Sequence, residues 1–175
     1  MALIKLNNQS LTAVSALPAA IPTGSVLQVV SQDSATQFQN SASGWLDIGL
    51  SATITPSSTS SKIFVLSTVI IRTNNGNNGS GGIGLRVANA SNSVIIDTSG
   101  DVNPSGLAAY IPNGFYSIST TITKQILHSP NTTSAYTYKV QVNRGNAGDP
   151  PTINYNNGNG NFAPTSTLTL MEIAG

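Results

Sequence analysis

The sequence predicts an all-β protein, an antiparallel two-sheet sandwich of the jelly-roll kind. Three observations lead there. Apolar and polar residues alternate with period two over most of the chain, as half-buried strands require. The alternating segments are rich in Thr, Ile, Val and Tyr, which suit a pleated surface. Helical periodicity is confined to one short stretch near the start.

That stretch lies within the first 24 residues, MALIKLNNQSLTAVSALPAAIPTG, which lack strand alternation. Residues 10–17 could form a turn or two of helix capped by Ser10, and Pro18 and Pro22 would stop it. Eight main strands are expected after it, at about 25–31, 45–55, 62–73, 83–88, 93–97, 114–126, 135–143 and 166–173. Leu46, Ile48, Leu50, Ala52 and Ile54 form one apolar ladder, and Tyr136, Tyr138, Val140 and Val142 form another. In the segment 115–126, Tyr116, Ile118, Thr120, Ile122 and Ile126 share a face. The run Ile63–Val69 is nearly continuous in apolar residues and predicts a central strand covered on both faces. The domain division is therefore an N-terminal arm over 1–24 and a sandwich over 25–175.

Loop lengths add an argument about polarity. Successive antiparallel strands turn at opposite ends of a sandwich. The connections 32–44, 74–82, 98–113 and 144–165 are long, and those at 56–61, 89–92 and 127–134 are short. Long and short alternate, so the four long loops should gather at one end. The arm and the last residues, Ile173 to Gly175, should lie at the other. A ninth short strand at Thr152–Tyr155 would need a partner within the final connection, or the parity shifts for the last strand.

Charge is scarce. Seven Lys and Arg against six Asp and Glu give a net charge of +1, and charged residues make up 7% of the chain. The ordinary share is about 25%. So few scattered cations cannot neutralise a run of phosphates or bind an anionic membrane, so neither nucleic acid nor membrane is an expected partner. No apolar run is long enough to span a bilayer, and Lys5 is followed too soon by Asn7, Asn8, Gln9 and Ser10 for a signal peptide. Solubility falls to Ser, Thr and Asn, about a third of the residues. Their contacts should depend little on salt.

The inventory for chemistry is equally thin. There is no cysteine, so there are no disulfides, thiolate metal sites or thiol nucleophiles. The one histidine, His128, sits in LHSPNTT and reads as a turn residue, and no nucleophile-elbow pattern accompanies it. Asp33, Asp97, Asp101 and Asp149 read as turn caps rather than a carboxylate pair. The glycine-rich runs open no helix and carry no phosphate-loop lysine. Trp45 reads as core or interface packing. Asn8, Asn78, Asn89 and Asn131 match the glycosylation pattern, as chance produces in so Asn-, Ser- and Thr-rich a chain. The expectation is a protein that is not an enzyme and holds no cofactor or metal.

Two features point to contacts. Ile4, Leu6, Leu11, Val14 and Leu17 in the arm would each forfeit about 1.5–3 kcal/mol if left in water, so the arm predicts an anchoring or assembly role. The Asn/Gly-rich stretches at 73–82 and 155–162 place Asn75, Asn78, Asn157 and Asn159 in long loops, as candidate distal contacts.

The segments MALIKLNNQSLTAVSALP, GSVLQVVSQ, LSATITPSSTSSKIFVL and STLTLMEIAG, about a third of the chain, resemble a family of small virion proteins of tailed, especially marine, bacteriophages. The resemblance implies a trimeric jelly roll of the tumour-necrosis-factor or C1q-like shape on the exterior of a phage particle. Within that reading two positions compete, and the expectation is a head decoration (cement) protein whose arm grips the major capsid protein. The alternative is a tail- or head-fibre tip, whose arm joins the fibre shaft and whose long loops touch a host surface glycan. A polysaccharide-degrading tailspike is disfavoured by the small size and the few acids.

Overall fold

The computed structural model describes residues 22–39, 42, 44–74, 81–96, 109–111, 117–144, 151–156 and 164–175. Eleven strands lie among them: β1 (Val26–Ser34), β2 (Phe38–Gln39), β3 (Trp45–Ile54), β4 (Lys62–Asn74), β5 (Gly81–Asn89), β6 (Val94–Ile96), β7 (Ala109–Ile111), β8 (Ser117–His128), β9 (Tyr136–Arg144), β10 (Thr152–Ile153) and β11 (Ser166–Ile173). All eight expected strands are present with ends shifted by a few residues. β2 and β7 are additions too short to show a period, and β10 lies within the ninth short strand considered at Thr152–Tyr155.

Pairing is antiparallel throughout and builds two sheets. In the first, β1 pairs with β11, β11 with β4, and β4 with β8. β10 continues the β11 column beside β4, and β2 continues the β1 column beside β10. In the second, β3 pairs with β9, β9 with β5, and β5 with β6 and then β7 along one edge. Taking β1/β2, β6/β7 and β10/β11 as single columns leaves eight, ordered 1-8-3-6 and 2-7-4-5. Every consecutive pair of columns except β5 and β6, which are neighbours in the second sheet, passes between the sheets, and the last column returns beside the first, the interleaved order of a jelly roll.

The parity expectation holds for the described strand ends. Ile173, Lys62 and His128 lie at the end where β1 begins. Ser34, Ser166, Asn74 and Ser117 lie at the other. In the second sheet, Ile54, Tyr136 and Asn89 mark the short-connection end, and Trp45, Arg144 and Gly81 the long-connection end. β10 does not shift the parity. Its partners are β4 and β2, not a strand inside the final connection, so it runs in the same sense as β11.

The core is built on the two expected ladders, which lie side by side in the second sheet and face the first. Ile48, Leu50, Ala52 and Ile54 of β3 and Tyr138, Val140 and Val142 of β9 are buried, and they meet Ile63, Val65, Val69 and Ile71 of β4 and Leu168 and Leu170 of β11. β3 carries a bulge. Asp47 pairs with Gln141, yet Ser51 pairs with Lys139, and Gly49 between them takes φ 77°. Four residues advance against two, an even insertion, so Ile48 and Leu50 stay inward. β1 carries the opposite case. Val26 pairs with Ile173 and Gln28 with Glu172, so Leu27 is one extra residue. An odd insertion swaps the faces, and Val26 and Val29, three apart, both point outward, 55% and 56% exposed.

One expectation about β4 is corrected. It is central in its sheet, but Phe64 and Leu66 on its outward face are only half-buried, and no further strand packs over them among the described residues. An apolar run reads alike whether its second face is covered or left open.

Candidate functional site

The two ends of the sandwich differ in construction. At the short-connection end the chain enters through a tight turn, where the Ser25 amide donates to the Pro22 carbonyl at 3.0 Å and Gly24 takes φ 89°. The Gly24 amide donates to the Ala174 carbonyl and the Ala174 amide to the Ser25 carbonyl, both at 2.8 Å. Entry and C-terminus are thus stitched together at one point. As expected, the last residues lie here.

Glu172 lies beside this point. It follows Ser166, Leu168 and Leu170 on the inward face of β11 and has no exposed surface. Its Oε1 accepts from the Ser57 amide at 2.7 Å and the Ser57 hydroxyl at 2.6 Å, and its Oε2 accepts from Gln28 Nε2 at 2.6 Å. Gln28 Nε2 also donates to the Thr55 carbonyl at 2.7 Å. Burial raises the carboxyl pKa, but the Ser57 and Gln28 hydrogen bonds outweigh it and bring it down to about 2. The Ser61 hydroxyl, which makes no hydrogen bond of standard geometry, adds a smaller pull in the same sense. A charge is tolerated at a core position because the rim of the sandwich supplies donors to it.

A ring cluster closes the same end. Nδ1 of His128 lies 2.8 Å from the Tyr138 hydroxyl, and the rings of His128, Tyr136 and Tyr138 pack with centroids 5.0–5.7 Å apart. His128 ends β8 and is half-buried, so the turn position expected for it is corrected. Burial pushes its pKa below the usual value, and burial together with the neighbouring Tyr136 pushes the Tyr138 phenol well above its own. These shifts favour a neutral imidazole bonded to a protonated phenol, and among the described residues no serine hydroxyl bonds to either ring. Nearby, Asn89, Ala90, Ser91, Ala135, Tyr136 and Thr137 line a shallow, open depression of about 180 Å³.

At the long-connection end a buried asparagine organises the backbone. Asn154 takes φ 51°, and its amide donates to the Ile70 carbonyl at 3.0 Å. Its Nδ2 donates to the carbonyls of Ser34 at 2.8 Å and Thr36 at 3.2 Å, and its Oδ1 accepts from the Ser166 hydroxyl at 2.7 Å. One side chain joins the ends of β1 and β11 and the link between β1 and β2. Beside it, the Arg72 guanidinium stacks 3.8 Å over the Tyr155 ring.

The outer face of the second sheet carries a polar lattice. Lys139 pairs with Asp47 at 3.0 Å, Gln141 donates to Asp47 and Asn92, and Arg86 donates to Gln141 at 2.7 Å. Arg86 also lies 4.5 Å from the Trp45 ring centroid. Trp45 sits against Gly84 on this face, outside the core. A Cβ at Gly84 would fall 3.0 Å from Trp45 Cη2. Gly84→Val should lift the ring at a cost of about 1–3 kcal/mol. Because Trp45 is the sole tryptophan, the shift is read directly as a red-shifted emission maximum. An unchanged spectrum would contradict this packing.

The sequence-derived contact residues lie elsewhere. Ile4, Leu6, Leu11, Val14 and Leu17, and Asn75, Asn78, Asn157 and Asn159, fall outside the described residues, as do the expected helical turn at 10–17 and Asp97, Asp101 and Asp149. What the structure places is their points of attachment. The arm joins at Pro22–Ser25, while the segments holding the four asparagines leave from Asn74 and Asn156 at the opposite end. Among the described residues, no three metal-ligating side chains converge, and no helix is long and apolar enough to cross a membrane. Sequence reasoning missed Glu172 and Asn154. The first was visible as a charge in phase with Ser166, Leu168 and Leu170. The second had no sequence signal beyond an asparagine able to adopt positive φ.

The class these features define is a jelly-roll β-sandwich with a stitched entry end and a looped far end. No family model matches the chain, and no curated protein matches it. Among solved structures it is distantly similar to a chain of the infectious bursal disease virus Gx strain, with 14% identity, a TM-score of 0.39, and coverage of 100% of this chain and 43% of that one. The VP2 subviral particle of the same virus gives 13%, 0.39, 100% and 42%. Dimeric latent PorU of Porphyromonas gingivalis gives 8%, 0.34, 89% and 14%. The chain spans less than half the length of these viral chains.

Proposed function

We propose that this is a non-enzymatic structural protein of a tailed-phage virion, a head decoration protein on the capsid exterior, held by its N-terminal segment to the major capsid protein. The observation that carries the reading is the polarity of the body. The chain enters beside Ala174 at one end, and the four long connections belong to the other, about 30 Å away along the strands. A tether at one end and loops at the other is the layout of a module that sits on a surface and faces outward. The near-absence of charge supports it too, since a coat with few ions associates almost independently of salt. In this role Ile4, Leu6, Leu11, Val14 and Leu17 supply the grip, and copies of the chain associate as a homotrimer. The gathering of the long connections favours one second reading, a fibre tip whose Asn75, Asn78, Asn157 and Asn159 meet a host glycan.

Quantitative mass spectrometry of purified particles separates the two. Decoration requires hundreds of copies per particle and no binding of the isolated protein to host cells. A few dozen copies together with host-cell binding would replace the first reading with the second. Hydrolysis of a host glycan by the protein would sink both.

A further inference from the structure

We propose that the outer face of the first sheet is the surface through which copies of this chain associate. This goes beyond the reading above, because a like-on-like contact joins two copies and is distinct from the homotrimer of that reading, and it does not depend on attachment to a particle.

Strand register aligns one apolar row across four strands. Val29 of β1 opposes Met171 of β11, Met171 opposes Phe64 of β4, and Phe64 opposes Leu127 of β8. The next row toward the entry end adds Val26 opposite Ile173. Val26, Val29 and Leu127 are 55%, 56% and 49% exposed, three of the four exposed large hydrophobics among the described residues. The odd bulge at Leu27 is what turns both valines outward. A row reaching both edges of a sheet is a continuous patch, and such patches mark contacts.

The rest of the face is cheap to desolvate. Ser31 bonds to Thr169 at 3.1 Å and Thr68 to Thr123 at 3.4 Å, so these hydroxyls already satisfy one another. Charge is confined to the margins. Asp33 lies on the edge strand, Lys62 at one end of β4, and Arg72 at the other beneath the Tyr155 ring. No ion in the middle has to be stripped of water.

Size selects the occupant. Four strands wide and ten residues long, the face measures about 19 by 34 Å, a footprint of about 650 Å². A stable interface takes about 800 Å² of accessible surface from each partner. A face near that size fits another folded body, and the apolar row alone is too small to hold one. A second copy presents a face of the same extent and the same lack of charge.

The test uses the full-length chain. Light scattering on the purified protein at micromolar concentration should give a multiple of the single-chain mass. Val29→Glu with Leu127→Glu should weaken association by about 100-fold or more and leave single chains. Circular dichroism and thermal melting confirm that this variant is folded. A second measurement does not rely on disruption. In Leu127→Cys the introduced thiol is the only one in the chain. Its maleimide labelling should be slow in concentrated protein and speed up on dilution. A monomeric wild type, a folded double-Glu variant that still associates, or labelling independent of concentration would each overturn the proposal. None of these results bears on the role on the particle, which the copy number decides.

Discussion

Glu172→Gln should destabilise the protein by about 2–3 kcal/mol at neutral pH, the scale of hydrogen bonds to a buried charge, and should flatten its acid denaturation. The glutamine carbonyl can keep both Ser57 donors. Its new amide, however, then faces the Gln28 amide, donor against donor, where the carboxylate had accepted at 2.6 Å. Turning Gln28 over relieves that clash only by aiming its carbonyl at the Thr55 carbonyl, to which its amide now donates at 2.7 Å. Every arrangement leaves one pair opposed. The pH dependence follows from the sign of the shift. Folding lowers the Glu172 pKa from 4.5 to about 2, so its stabilisation is complete above pH 4.5 and is lost as pH falls toward 2. Urea midpoints of wild type and variant between pH 2 and 7 should converge in acid. His128, whose pKa is also lowered by folding, adds an earlier loss that begins as pH falls below 6.5, and the variant keeps it. A constant gap between the two curves down to pH 2 would show that the carboxylate is not the acid-labile group.

Asn154→Ala should cost about 3 kcal/mol. Two effects add. The carbonyls of Ser34 and Thr36 lose the side-chain amide donor, and the Ser166 hydroxyl loses its acceptor while still accepting from the Ile70 amide, at about 1–3 kcal/mol in all. Alanine must also adopt φ near 51°, which costs an L-residue roughly 1–2 kcal/mol more. Asn154→Gly separates the terms, because it accepts the backbone and loses only the hydrogen bonds. It should therefore fall between wild type and alanine in urea midpoint. Amide exchange in the variants should quicken at Ile70 and Asn154 before the β4–β8 core opens. Equal stability of the alanine and glycine variants would remove the backbone contribution from this account.

The fold was legible where the chain obeys a simple period. The ladders of β3 and β9 read directly from alternation, and even the bulge at Gly49 did not disturb them, because it adds two residues. The odd bulge at Leu27 did escape, since nothing in GSVLQVVSQ marks which residue drops out of register. With it escaped the outward pair Val26 and Val29, and hence the apolar face. β2 and β10, with two residues each, show no period, and their pairing depends on Asn154 holding distant segments together. Trp45 carries the same apolar signal inside a core or flat on a sheet, and Gly84, which admits it on the outside, is informative only once β5 is known to lie beneath. Of the contact residues inferred from the sequence, the five apolar arm positions rest on hydrophobic cost and the four asparagines on loop chemistry. The structure contributes the ends of the body from which each group departs.

The most direct test is removal of residues 1–20 followed by a particle-incorporation assay. The sandwich has its first stitch at Gly24 and its first strand at Val26, so the shortened protein should keep its β-sheet spectrum and melt cooperatively while failing to join the particle. Incorporation at the wild-type level, or a shortened chain that does not fold, would contradict the idea of a self-sufficient neutral body tethered by a separate greasy lead.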